Sequence, residues 1–184
     1  IASGKGSVGR LLEARGWPVL DADSYARDAL APNTPSSEAV VERFGARVGS
    51  ASDLNRKALG RIVFNDSVER RWLEDLIHPV VRDRFQQELE RHSQAPVVVL
   101  MIPLLFETGL DALCSEVWLV DCEPHQQLER LMRRSGLNAA DAQARLGAQW
   151  PLSRKRPLAD RVIDNRGSAD ALEAAVNRCD PASL

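Results

Sequence analysis

Pro96-Val97-Val98-Val99-Leu100-Met101-Ile102-Pro103 carries no charge and no polar side chain. Its length, its proline boundaries and its β-branched content predict a strand buried on both faces. Such strands occur in parallel sheets covered by helices, so this run restricts the fold more than any other stretch. Glu116–Asp121 repeats the pattern, and Arg161–Asn165 gives a shorter strand. Trp17–Asp23 reads as a strand ending in two acids, Asp21 and Asp23, with a helix over Ser24–Leu30 behind it. Pro124 opens a helix through Arg134, and Asn138 caps another through Trp150 with Asp141 three residues on. Ala169–Arg178 is the last helix. Strands alternating with helices predict an α/β fold, a parallel sheet with helices on both faces.

The stretch Ser36–His92 breaks the alternation: it reads as helical and without strands. Helical periodicity covers Leu54–Phe64 and Val68–Ile77. Pro79 marks a break, and Val80–Arg91 resumes with Val81, Phe85 and Leu89 on one face. Val48–Ser52 is the expected loop. One domain is therefore expected, with a core of 1–35, 95–128 and 159–184, a helical insert at about 36–94 and a small helical segment at about 129–158.

The N-terminal stretch Ile1-Ala2-Ser3-Gly4-Lys5-Gly6-Ser7 matches the back half of the phosphate-loop pattern G-x-x-x-x-G-K-[ST]. The first glycine would fall two residues before Ile1, where the first strand of the sheet is also expected. Small residues let backbone amides approach a phosphate, the helix dipole adds positive charge, and Lys5 adds a full one. Val8, Leu11 and Leu12 share a face of the following helix, and Gly16 can end it. The competing reading is a plain Gly-Lys turn before a surface helix.

Acids at the carboxyl end of a strand have the right address for chemistry in a parallel sheet, though Asp23 also suits a helix N-cap. Arginines and one lysine gather late: Arg130, Arg133, Arg134, Arg145, Arg154, Lys155 and Arg156. Arg130 and Arg134 share a helix face. Guanidinium forks suit phosphate oxygens, and two helices with a basic loop between two strands are where a lid over nucleotide phosphates would sit. The alternative is a solvated charged face. His78 reads most simply as an imidazole at a helix C-terminus, favoured by the dipole. Glu107 is either an acid near a helix start or a substrate contact, and Leu104, Leu105 and Phe106 are core or pocket wall.

Other classes lose ground on composition. A net charge of −2 gives no global attraction to nucleic acid or a membrane. No apolar run is long enough to span a bilayer. His78, His92 and His125 are too few and too scattered for a multi-histidine metal site, and no Ser/His/Asp set or H-E-x-x-H occurs. Cys114, Cys122 and Cys179 are scattered, so a reduced, cytoplasmic setting is expected.

Together these segments resemble the dephospho-CoA kinase family. The resemblance rests on Ile1–Lys5, Leu20–Asp23, Ala58–Phe64, Leu76–Pro79, Ile102–Glu107, Val117–Asp121, Arg130–Arg134, Arg145 with Gln149, and Ala159–Asn165, in that order along nearly the whole chain. It implies a P-loop nucleotide kinase-like fold, in which the insert binds coenzyme and the 129–158 segment is a lid. It implies transfer of the γ-phosphoryl group of ATP to the ribose 3′-hydroxyl of dephospho-CoA, with Mg²⁺. By the same resemblance Ala2, Ser3, Gly4, Lys5, Gly6 and Ser7 hold ATP phosphates, joined by Arg130 and Arg145, with Asn165 beside the adenine. Asp23, Lys5 and Arg134 are implied as catalytic. Asp23, His78, Pro103, Leu104, Leu105 and Glu107 are implied on the acceptor side.

The sequence departs from the family pattern at three places. Gly6 stands where the family has the Ser/Thr whose hydroxyl reaches Mg²⁺, which leaves Ser7 as the candidate metal ligand. Ser135 replaces a common aspartate, and the loop Gly49-Ser50-Ala51-Ser52 is atypical. The alternatives are another small-metabolite or nucleoside kinase with a phosphate loop, or a nucleotide-binding protein with weakened catalysis.

Overall fold

The computed structural model describes residues 1–179. In chain order the elements are α1 (Lys5–Ala14), β1 (Val19–Asp21), α2 (Ala22–Ala29), α3 (Pro35–Phe44), β2 (Gly49–Ser50), β3 (Asp53–Leu54), α4 (Arg56–Asn65), α5 (Ser67–Arg91) and β4 (Val99–Met101). They continue with β5 (Trp118–Asp121), α6 (Pro124–Ser135), α7 (Ala139–Gly147), α8 (Leu152–Lys155), β6 (Arg161–Asp164) and α9 (Ala169–Arg178). The chain divides into two compact units, Ile1–Val19 with the chain from Ala95 onward, and Leu20–Gln94.

In the first unit β5 and β6 run parallel, with Val120 opposite Ile163 and Asp121 opposite Asp164. Asp160 fixes the start of this ladder: its carboxylate accepts from the Val117 N–H at 2.7 Å. Val120 and Ile163 meet Val8 and Leu12 of α1 and Leu172, Ala175 and Val176 of α9 in one core. Fully burying side chains of this size contributes about 1.5–3 kcal/mol each, which fixes α1 against the sheet. A Cβ on Gly9 would lie 2.3 Å from Met101 Sδ, so α1 approaches β4 as only glycine allows. Val99 donates to the Pro18 carbonyl at 2.9 Å. The strand expected over Pro96–Pro103, buried on both faces, is regular only at Val99–Met101 and is half-buried there.

In the second unit Val40, Phe44, Val48 and Leu59 form a core, with Trp72, Leu73 and Leu76 of α5 packed against it. The helices begin at side-chain caps: Asp21 for α2, Thr34 for α3, Asn55 for α4 and Asp66 for α5. Two sequence expectations are corrected here. α5 runs unbroken through Pro79. An interior proline costs about 3 kcal/mol and leaves the carbonyl of Asp75 without its donor. Both residues are exposed, so water can serve that carbonyl, while Ile77 and Phe85 stay buried on the other face. His78 is therefore inside a helix rather than at its end. The insert also holds a strand pair, β2–β3, with Gly49 opposite Leu54. Gly49 has φ 87°, and a Cβ there would meet the Asp53 carbonyl at 2.5 Å, so this turn requires glycine.

Candidate active site

Ala2 and Gly4 both adopt left-handed backbone, φ 56° and 108°, which costs an L-residue about 1–2 kcal/mol and glycine nothing. The turn they make is tied down from the far end of the chain. Asn165, just past β6, donates from Nδ2 to the Ser3 carbonyl at 2.6 Å. Arg130 on α6 donates to the Asn165 carbonyl at 2.9 Å and to the Ser3 carbonyl at 3.4 Å. Gln127, one turn earlier, donates to the Ile1 carbonyl at 2.7 Å. A Cβ on Gly4 would lie 2.0 Å from Asn165 Nδ2, so Gly4 is fixed by both its φ and its neighbour.

The Ile1 and Ser3 carbonyls are thus taken up by side chains, and α1 opens at Lys5. Among the described residues no side chain caps this helix, and its first turn holds no acid. Its first amides have no intrahelical partner, an arrangement that binds anions. Arg134 is exposed in the last turn of α6, and Arg145 is half-buried in the last turn of α7.

Three consecutive cations expected to form one basic connection go to three different partners. Arg154 lies over the Trp150 ring, 3.4 Å from its centroid. Lys155, 8 % exposed, pairs with Glu107 at 2.6 Å. Arg156 donates to Asp121 at 2.7 Å, and Arg166 donates to the same oxygen at 2.9 Å. Asp121 is 2 % exposed and both guanidiniums are nearly half exposed, so a buried carboxylate at the end of β5 holds two arginines at the surface. Sequence reasoning missed this group. The signal was available, since Asp121 ends a strand as Asp21 does.

Glu107 also differs from its expected setting. Besides Lys155, its Oε1 accepts the Trp150 N–H at 3.0 Å. Burial raises its carboxyl pKa, but the Lys155 bond and backbone N–H donors outweigh that and lower it overall. Pro103, Leu104 and Leu105 are half-buried in the turn before it. In the second unit Asp21 accepts the Asp23 N–H at 3.1 Å, so Asp21 and not Asp23 caps α2. Asp23 is exposed in the first turn, and His78 is exposed midway along α5.

The fit to Mg²⁺ is poor. Gly6 offers no side-chain oxygen, and Ser7 Oγ accepts from the Arg10 guanidinium at 3.1 Å. A hydroxyl engaged by a cation is badly placed to receive a second one. Among the described residues no group of three His, Cys, Asp or Glu could hold a metal. This donor set does not fit an ion held by the protein.

A phosphate-type loop on a parallel α/β frame matches known proteins along its length. The dephospho-CoA kinase family model covers residues 1–171. This chain belongs to the dephospho-CoA kinase family. A dephospho-CoA kinase of Parasynechococcus marenigrum is 71 % identical, across 97 % of this chain and 90 % of the relative. The fold agrees with the crystal structure of TT1252 from Thermus thermophilus, with TM-score 0.82, 39 % identity, and coverage of 97 % of this chain and 91 % of that one. It also agrees with a dephospho-CoA kinase from Campylobacter jejuni, with TM-score 0.69, 26 % identity, and coverage of 97 % and 90 %. The expected P-loop kinase fold holds. Among the described residues no helix is long and apolar enough to cross a membrane.

Proposed function

We infer that this chain transfers the γ-phosphoryl group of ATP to the ribose 3′-hydroxyl of dephospho-CoA, giving coenzyme A and ADP. The observation that carries this reading is the glycine-tight loop locked by Asn165 and Arg130, in a chain of this family. The small-molecule substrates are ATP and dephospho-CoA, and the setting is cytoplasmic, consistent with free Cys114, Cys122 and Cys179.

Phosphoryl transfer proceeds through a loose transition state, so alignment and charge neutralisation dominate. In the proposed assignment the amides of Ala2–Ser7 and the Lys5 ammonium hold the ATP phosphates. Arg130 and Arg145 belong to the same nucleotide, Arg134 neutralises charge on the transferred group, and Asn165 lies beside the adenine. Asp23 orients the acceptor hydroxyl. Its oxygen forms the new bond to γ-phosphorus, the bond to the ADP oxygen breaks, and Asp23 takes the proton. His78 and the Pro103–Leu105 turn serve the acceptor. Glu107, with Oε1 engaged by Lys155 and Trp150, holds that turn in position. The loop offers no side-chain oxygen at Gly6 for Mg²⁺, so Lys5, the loop amides and the arginines would carry the charge neutralisation that the chain itself supplies. The segments 36–94 and 129–158 act as coenzyme-binding insert and lid, the remaining chain as core.

ADP release is measured with dephospho-CoA, adenosine and nucleoside monophosphates as acceptors. Turnover with dephospho-CoA is expected. Turnover with a monophosphate alone overturns the assignment, and ATP binding without transfer to any acceptor replaces it by a binding protein. Asp23→Asn is expected to lower kcat about 10²–10⁴-fold, the span of a positioned acid–base group, with ATP affinity unchanged. Normal turnover in that variant removes Asp23 from the mechanism.

A further inference from the structure

The helix that carries Asp23 is held at its far end by a residue of another helix. α2 has 8 residues, and a helix this short is marginal on its own. Where Asp23 points therefore depends on what fixes α2. At its start Asp21 accepts the Asp23 N–H at 3.1 Å, and midway the Tyr25 ring meets the Phe85 ring of α5 edge-on, 5.1 Å between centroids. The last carbonyls of a helix lack intrahelical donors, and here those of Arg27 to Leu30 each receive one. Ala31 donates its N–H to the Asp28 carbonyl at 2.9 Å, and the Thr34 hydroxyl donates to the Ala29 carbonyl at 2.7 Å. The carbonyls of Arg27 and Leu30 are served from afar. Arg56 Nη2 donates to both, at 3.1 Å each, across 29 and 26 positions of chain.

Arg56 is itself firmly based. It is the first residue of α4, directly behind the Asn55 cap, whose side chain accepts the Ala58 N–H at 3.0 Å. Leu59, one turn on, is buried in the core of the second unit, and Leu30 packs against the same core. The backbone on both sides of the contact is thus anchored, and the guanidinium bridges it. A positive charge at a helix C-terminus also complements the helix dipole. Arg27 follows Asp23 by one turn, so its carbonyl lies about 6 Å along the axis from the acid. Without Arg56 the last turn of α2 keeps only its local bonds, and the helix is free to tilt about the Tyr25–Phe85 contact. The acid at the other end moves with it, and small displacements of a reacting group are costly in rate.

We propose that Arg56 is a positioning residue for phosphoryl transfer, acting through Asp23 by fixing α2. The proposal rests on the functional reading above. A double-mutant cycle tests it: wild type, Arg56→Ala, Asp23→Asn and the double variant, assayed with ATP and dephospho-CoA. Arg56→Ala is expected to lower kcat about tenfold, the effect of a displacement below an ångström. The KM values for ATP and dephospho-CoA should stay within about twofold of wild type. In the Asp23→Asn background the same substitution should change kcat by less than about twofold, because the group it positions is already gone. Arg56→Lys, which keeps the charge and its donors, should recover most of the loss. A wild-type kcat in Arg56→Ala overturns the proposal. So does an equal loss in both backgrounds, the mark of a merely structural role, or a raised KM for dephospho-CoA at unchanged kcat, the mark of a substrate contact. Normal turnover in Asp23→Asn overturns the assignment of Asp23 and this proposal together. A slow Asp23→Asn beside a normal Arg56→Ala overturns this proposal alone, so the two failures are distinguishable. Arg56 is exposed, so alanine there removes no core packing. Should that variant not fold, Arg56→Gln, which is shorter and uncharged, decides through the same cycle.

Discussion

The phosphate loop and the Thr34 turn that opens α3 satisfy their polar groups in opposite ways. Around the loop the Ser3, Asn165 and Ile1 carbonyls each receive a side-chain donor from elsewhere in the first unit. At the Thr34 turn the bonds stay within a few residues: the hydroxyl donates to the Ala29 carbonyl at 2.7 Å and accepts from the Ser37 N–H at 3.1 Å. A loop that must offer amides to a highly charged group needs its carbonyls restrained beforehand, because misplacement by an ångström costs much of the rate. A turn that only starts a helix needs no more than its own cap. The long-range frame should therefore fail in kcat when disturbed, and the local cap in stability.

Gly4→Ala tests the long-range frame most severely. The substitution forces an L-residue to φ 108° and drives a Cβ to 2.0 Å from Asn165 Nδ2. Relief requires the Asn165–Ser3 bond to open, and Arg130 is attached to the same two residues. A fall in kcat/KM for ATP of about 100-fold is expected from that displacement. Steady-state kinetics with wild-type-like activity would show that the frame is not required.

Glu107 and Lys155 carry the same contrast into stability. Their side chains are 14 % and 8 % exposed, with one bond of 2.6 Å. Glu107→Gln strands a buried ammonium and should cost about 3–5 kcal/mol, and adding Lys155→Met should recover most of it. Urea midpoints of the two single variants and the double variant measure this. The pH dependence has a definite sign. The Glu107 pKa is lowered in the folded state from 4.5, so its contribution is present above pH 4.5 and is lost as the pH falls below it through the folded value. That acid loss should be missing in the double variant.

The strand at Trp118–Asp121, the capping of α7 by Asn138 and the loop with Lys5 were all legible because each follows from local pattern: an apolar run, a cap three residues before an acid, glycines at a helix start. What was hidden depends on contacts made across long stretches of chain. Lys155 looked like its neighbours Arg154 and Arg156, yet a carboxylate 48 positions earlier buries it. Pro79 looked like a helix end, yet packing at Ile77 and Phe85 carries α5 through it. The alternative reading of Asp23 as a cap fails because Asp21 takes that position.

Gly6, unlike Gly4, leaves room in the loop. Its backbone is helical, and a Cβ would come no nearer than 4.0 Å to the Arg10 guanidinium, so serine fits there without strain. The neighbouring Ser7 hydroxyl is engaged by Arg10 at 3.1 Å, which leaves this turn without an oxygen for a cation. Mg²⁺ takes one or two protein oxygens and otherwise keeps water and substrate phosphates. Supplying one such oxygen by Gly6→Ser should lower the Mg²⁺ concentration for half-maximal rate by about 3–10-fold, the worth of one modest net interaction. The KM for dephospho-CoA and the urea midpoint should stay near wild type. A magnesium titration that leaves the half-maximal concentration unmoved would mean that nucleotide and water already satisfy the ion, and that the missing hydroxyl at Gly6 has no consequence for this loop.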